Sequence, residues 1–352
     1  MLSWDADSRY ANGAEVLRAL RLIPAWSAPD AGLSKPWEIA RKSEPRSKVP
    51  TSLTADGHQR LVQKRDHPGK LAGNEGQTII AGRYRLVELI GMAGAARFYA
   101  AYDEVLARNV MIHLLMPISD FDDTAVLLRE ARVAARLTSR HVVLVLDVLV
   151  LESGTYCMVT EPLEGCSVAT LVVRNGSLPV EQAVDFVRQA CSGIAEAHRL
   201  GVIHRDLKPA NLYAIGRSSD AYRIKVAGFG LCKTRSPMMS TQDNGPELAG
   251  TMAYMSPEQW KEVAHGESKS GAIDQRADIW ALGITLYELL NGKLPFERMP
   301  PRILSDQPLR LSYGSCQLPA SLAVVISKCL ERNPDERYRN ADELAMALGQ
   351  SC

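Results

Sequence analysis

The sequence predicts an α+β chain in which strands come first and long helices follow, behind a separate N-terminal extension. Three observations predict it. Arg85 to Leu89 alternates between faces as a strand does, and Phe98 to Tyr102 reads as the second strand of a hairpin. After Ser177 and Pro179, apolar Val180, Ala183, Val184, Val187, Cys191 and Ile194 recur at helical spacing until Gly201 closes the helix. From Ser27 to Gln77 the chain is instead rich in Pro, Gly, Ser and Lys/Arg with little apolar periodicity, which reads as a linker.

A chain of 352 residues is long enough for one two-lobed domain plus an extension. Lys and Arg number 41 against 40 Asp and Glu, so no global charge argues for nucleic acid or an anionic membrane. Seven cysteines at scattered spacings, without a Cys-x-x-Cys pair, suggest neither a disulfide framework nor a zinc site, and a reducing cytoplasm fits best. Asp5 and Asp7 stand where a signal peptide needs a basic start. The most apolar stretch, Val142 to Leu151, is interrupted by Asp147 and is too short to span a bilayer, so a soluble chain without a membrane segment is expected.

Within the extension, Asn12 and Glu15 can cap a helix that carries Val16, Leu17, Leu20 and Ile23 on one face and ends at Pro24. It is either a recognition peptide for a partner or a segment that docks on its own domain. Trp4, Trp26 and Trp37 would anchor either contact.

Chemistry concentrates in Val202 to Leu212, which reads Val-Ile-His-Arg-Asp-Leu-Lys-Pro-Ala-Asn-Leu. Three polar groups here project from a loop fixed at both ends, although Asp, Lys and Asn beside a proline also suit an ordinary polar loop. The stretch resembles the catalytic loop of the protein kinases, and Lys208, two positions after Asp206, points to the serine/threonine branch. The resemblance implies that Asp206 accepts the substrate hydroxyl's proton, Lys208 neutralises the transferring phosphoryl group and Asn211 holds a magnesium ion.

The resemblance to bacterial serine/threonine kinases begins at Gly82-Arg83-Tyr84 and runs to about residue 349. It implies a two-lobed fold: an extension over 1–81, a small β-rich lobe over 82–161, a hinge at 161–163 and a larger helical lobe over 164–350. Thr160 takes the gatekeeper position, and Glu161, Pro162 and Leu163 form the hinge that meets adenine.

Several positions depart from the family pattern. The glycine-rich loop keeps Gly91 but has Ala93 and Ala96 where further glycines let backbone N–H groups approach phosphate. Val-Met-Ile-His replaces Val-Ala-Ile-Lys, so His113 stands in place of the nucleotide-binding lysine. An imidazole is shorter and largely neutral at pH 7. Glu130, which would pair with that lysine, is kept, and a hydrogen bond from His113 would hold its helix without nucleotide. Phe98 and Met111 take positions where small residues sandwich adenine, and Tyr213 lies below the slot; a filled slot and a reshaped one that admits ATP are both compatible with these residues. Rescue by Arg97 is disfavoured, because strand alternation turns it to the opposite face from Phe98.

The largest departure is Gly228-Phe229-Gly230, where the family's Asp-Phe-Gly uses its aspartate to hold the principal magnesium. Glycine offers no carboxylate, and Asn211 alone is a poor Mg²⁺ site. The helical lobe keeps the family framework. His204, Arg205 and Phe229 have packing roles, Thr251 closes the activation segment, Glu258 pairs with Arg337, and Asp278 holds the loop backbone. Thr234, Ser236, Ser240 and Thr241 are conceivable phosphosites, with Arg205 as the partner of a phosphate, or else members of a solvated loop. Gly266 to Gly271 reads as a surface insertion.

Together these imply a serine/threonine kinase homologue that is catalytically dead or nearly so, a pseudokinase acting as a binding or allosteric signalling module. The competing reading is a slow or unconventional kinase with Asp206 as base. ATP and Mg²⁺ are cofactors of the second reading, and a purely structural module needs neither. The expected partner is a protein, as ligand or substrate, with another kinase among the candidates.

Overall fold

The computed structural model describes residues 78–93, 96–115, 124–216, 222–229, 252–265, 273–296 and 319–351. The helix and linker expected in the extension, the activation-segment positions Thr234, Ser236, Ser240, Thr241 and Thr251, and the insertion from Gly266 to Gly271 lie outside the described residues. The chain divides into two compact units, one within Ser119–Val148 and Leu163–Cys352 and the other within Pro29–Ile118 and Leu149–Pro162.

The strand-rich unit is built on a six-stranded sheet. Its strands are β1 (Ile79–Ile80), β2 (Tyr84–Ala93), β3 (Ala96–Asp103), β4 (Arg108–Leu115), β5 (Val145–Val150) and β6 (Tyr156–Thr160), in the order β1-β2-β3-β4-β6-β5. The hairpin is longer than alternation predicts: β2 runs on to Ala93, which pairs with Ala96. The ladder absorbs this length through irregularities between Leu86 and Glu88 and between Leu89 and Gly91. Along β4 the period is strict, with Val110, Ile112 and Leu114 buried and Met111, His113 and Leu115 half-buried.

One ion pair fixes the β3–β4 turn. Arg83 donates from Nε and Nη2 to the carboxylate oxygens of Asp103 at 2.8 and 2.7 Å, while the N–H groups of Val105 and Leu106 donate to Oδ1. The Arg83 hydrogen bond, helped by these backbone donors and opposed by burial, holds the Asp103 carboxyl below its usual range.

The helical unit contains α1 (Thr124–Ala134), α2 (Val168–Asn175), α3 (Val180–Arg199), α4 (Pro257–His265), α5 (Arg276–Asn291), α6 (Ala320–Cys329) and α7 (Ala341–Gly349). It also holds the small sheet β7 (Gly165–Ser167), β8 (Leu212–Ile215) and β9 (Arg223–Val226). Helix α3 starts after Pro179 and ends in a Schellman motif: Gly201, at φ +74°, donates to the His198 carbonyl at 3.0 Å, and Val202 donates to that of Ala197 at 2.9 Å. That reversal launches the loop from Val202.

Helix α5 is the centre of the unit. From Ala277 to Leu290 every residue except Glu288 is buried, so the helix is wrapped on all sides. It stops at Gly292, whose φ of +66° suits glycine and where a Cβ would fall 1.9 Å from the Gly176 carbonyl oxygen.

Candidate active site

The loop from Val202 to Leu212 is held from below by α5. The carboxylate of Asp278, fully buried, accepts the His204 N–H on Oδ2 and the Arg205 N–H on Oδ1, both at 2.8 Å. His198 Nε2 lies 2.8 Å from the same Oδ2. Burial works against ionising Asp278, but the His198 contact and the loop N–H groups outweigh it and lower its pKa. Arg205, at φ +65°, takes a left-handed conformation uncommon for a non-glycine residue.

His204 is fully buried, and its hydrogen bonds assign its tautomer. Nε2 donates to the Ala227 carbonyl at 3.0 Å and Nδ1 accepts the Asp206 N–H at 3.3 Å. Burial lowers its pKa, in keeping with a neutral ring. Its edge packs on Phe229, with centroids 4.6 Å apart.

Above this base the three expected polar groups converge. Lys208 Nζ donates to Asp206 Oδ1 at 2.9 Å, and Asn211 Nδ2 donates to Asp206 Oδ2 at 3.0 Å and to its backbone oxygen at 2.6 Å. The arrangement presents a carboxylate able to take a proton from an approaching hydroxyl, with a fixed positive charge beside it. Gly228 sits against this group at φ +99°; the nearest atoms to a Cβ there would be those of Asn211 and the His204 ring, at 3.6 Å. Space for a side chain exists, while the backbone is strained for anything but glycine. Tyr213 lies on β8 opposite Lys225 and Ser167, and burial raises its phenol pKa.

The strand-rich unit carries most of the other expected residues. Register places Phe98 opposite His113, Met158 opposite His113, and Thr160 opposite Met111, so Phe98, Met111, His113, Met158 and Thr160 share one face of the sheet. His113 is clamped there. Its Nε2 lies 3.1 Å from Thr160 Oγ1, which itself donates to the Glu161 carbonyl at 3.3 Å, so the imidazole is the donor to Thr160. Phe98 meets the ring edge to face at 5.1 Å. Gly91, opposite Phe98, has open space where a Cβ would stand, so neither crowding nor backbone conformation demands glycine there. Glu130 stands half-buried on α1, and Leu163 half-buried after the strand-rich unit ends at Pro162.

The expected framework pair is present. Arg337 forks onto Glu258 at 2.7 and 2.9 Å. Two contacts have no counterpart in the sequence reading. Gln259 Nε2 donates to the Arg205 carbonyl at 3.1 Å, and the Tyr254 hydroxyl makes a very short hydrogen bond to Glu288. Glu288, the second acidic residue of the otherwise apolar α5 after Asp278, was the available signal for the second. Burial, opposed by the Tyr254 bond, pushes Glu288 up to about 7. The unfolded chain releases that proton near pH ~4.3. Between about 4.3 and 7 the folded state binds more protons, so stability falls as pH rises through this window and is level above it. Urea unfolding at pH 5 and pH 8 should show this as a difference: over that interval the native chain should lose on the order of 2–3 kcal/mol relative to Glu288→Gln, since the opposite contribution of buried His204 is common to both. An equal pH dependence in the two proteins would contradict the assignment.

Residues 84–347 match the protein kinase domain family. The chain belongs to the protein kinase family. Among curated relatives of this kinase homologue, serine/threonine-protein kinase PrkC of Bacillus subtilis is 31% identical over 272 residues, covering 75% of this chain and 40% of that protein. Serine/threonine-protein kinase PknB of Mycobacterium leprae is 30% identical over 286 residues, covering 76% and 43%. The chain thus spans about two fifths of the length of these bacterial serine/threonine kinases. The kinase domain of Mycobacterium tuberculosis PknI superposes with a TM-score of 0.62 at 25% identity, covering 80% of this chain and all of that one. The two-lobed architecture expected from the sequence, a curled sheet followed by a helical lobe, is therefore that of a kinase homologue. No described helix is long and apolar enough to cross a membrane.

Proposed function

We propose that this serine/threonine kinase homologue is a pseudokinase, a protein-binding or allosteric module of the cytoplasm rather than an efficient phosphotransferase. One observation carries the reading: residue 228, where the family's metal-holding carboxylate belongs, is a glycine at φ +99°. The residues present do not fit a Mg²⁺ site. Beside Gly228 stand the Asn211 amide and the His204 ring, and the Asp206 carboxylate that the amide bonds already accepts from Lys208 as well. Among the described residues no group of three or more His, Cys, Asp and Glu could hold a metal ion. The hydrogen bond from His113 to Thr160 supports the same reading, since that side chain serves the sheet instead of offering a cation to phosphates.

The test is thermal unfolding with and without millimolar ATP, in Mg²⁺ and then in EDTA. A nucleotide at about 100 times its Kd would stabilise by about 2.7 kcal/mol and raise Tm by roughly 5–10 °C. No shift is expected in either condition. A shift without metal would make the chain a nucleotide-sensing pseudokinase, and a shift that requires Mg²⁺ would overturn the reading.

One observation favours a second reading, a slow serine/threonine kinase. The Asp206, Lys208 and Asn211 side chains are hydrogen-bonded into a single cluster. Phosphorylation of a protein substrate, lost in Asp206→Asn, would establish it. Under either reading the partner is a protein, and another kinase is a candidate. The extension over 1–81 would supply a recognition helix or a self-docking segment.

A further inference from the structure

The backbone of Arg205 is gripped from two sides. Its N–H donates to Asp278 on the fully buried helix α5, at 2.8 Å. Its carbonyl accepts from Gln259 Nε2 on α4, at 3.1 Å. The amide of Gln259 is oriented by its other end, because Oε1 accepts the Ser256 N–H at 2.9 Å and the Ser256 hydroxyl at 3.1 Å. Both side chains are buried, Ser256 completely and Gln259 to 8% exposure, so neither bond has water as a ready substitute. The gripped residue is the one held in the left-handed conformation, and Asp206 follows it directly. One jaw of this clamp therefore sits in the core and the other on a helix at the end of the activation segment.

We propose that Gln259 is a positioning residue that couples α4 to the loop carrying Asp206, Lys208 and Asn211, so that a protein partner displacing α4 also releases the loop. The coupling is independent of whether the chain transfers phosphate. By linkage it runs both ways, and whatever steadies the loop also steadies α4. No contiguous wire is needed, because one side-chain amide spans the two elements.

Native-state hydrogen exchange on the full chain in increasing urea tests this. In the unaltered protein the Asp206 amide, which donates to His204, and the Trp260 amide, which donates to the Ser256 carbonyl, should open with the same free energy and the same urea dependence. Amides in the middle of α5 should open at a higher free energy. In Gln259→Met, which keeps the length and removes the donor, exchange at Arg205 and Asp206 should quicken about tenfold while α5 is unchanged. The proposal fails if the Asp206 and Trp260 amides open independently in the unaltered protein. It also fails if Gln259→Met leaves Arg205 and Asp206 as protected as before, or loosens them only in step with α5. The measurement on the unaltered protein decides the matter even if the variant does not fold.

Discussion

Arg337→Ala is expected to cost about 3–5 kcal/mol and to lower Tm by roughly 10 °C. The guanidinium is buried and uses all of its donor positions. Nε reaches the Glu331 carbonyl at 2.7 Å, Nη1 reaches Glu258 at 2.7 Å and the Arg276 carbonyl at 3.0 Å, and Nη2 reaches Glu258 at 2.9 Å and the Arg332 carbonyl at 3.1 Å. Its flat face lies 5.1 Å from the Trp280 ring centroid, and Phe296 stacks on that same indole. Truncation leaves the Glu258 carboxylate, 13% exposed, without its counter-charge and several carbonyls without donors. Arg337→Lys should recover less than half of the loss, because a point-charge ammonium cannot reproduce the fork. Urea unfolding of the two variants is the check. A cost below about 1 kcal/mol for Arg337→Ala would mean that the pair does not brace the helical unit.

The double variant His113→Lys with Gly228→Asp is expected to remain inactive, although it restores both family groups. Lysine at 113 must enter a position bounded by Phe98, and aspartate at 228 must either adopt φ +99° or move the backbone. That conformation costs about 1–3 kcal/mol. The obstacle at 228 is the backbone and not space, since the nearest atoms would lie at 3.6 Å. Adding Phe98→Val and Met111→Ala clears the sheet face on which register gathers these residues. Phosphotransfer by the fourfold variant should exceed that of the double variant by at least about a hundredfold, the scale on which single electrostatic groups act in catalysis. Activity in the double variant alone would locate the whole defect in the two missing groups and discount the filled face.

Much of the architecture is legible in the sequence because its signals are local. The Pro179 start and Gly201 stop of α3, the Gly292 stop of α5 and the alternation along β4 are each written within a few residues. The ends of the hairpin are not, since Ile90 to Ala93 breaks the alternation and only pairing with β3 carries the strand onward. Asp206, Lys208, Asn211, Asp278, Glu258 and Arg337, which resemblance singles out by their distinctive spacing, are all hydrogen-bonded in the structure. For His113 the hydrogen bond from its Nε2 to Thr160 depends on the β4–β6 register, which no local pattern states. Gln259 and the Tyr254–Glu288 pair escape a sequence reading for the same reason: each contact links residues more than thirty positions apart.

Asp278, the core jaw on Arg205, leaves the ribosome 73 residues after it. At about 5–20 residues per second that interval is roughly 4–15 s. During it the nascent loop has no means of holding a left-handed arginine, and His204 has no buried carboxylate beneath it. The segment that carries Asp206, Lys208 and Asn211 is thus translated early and shaped late, only once the helix it rests on exists.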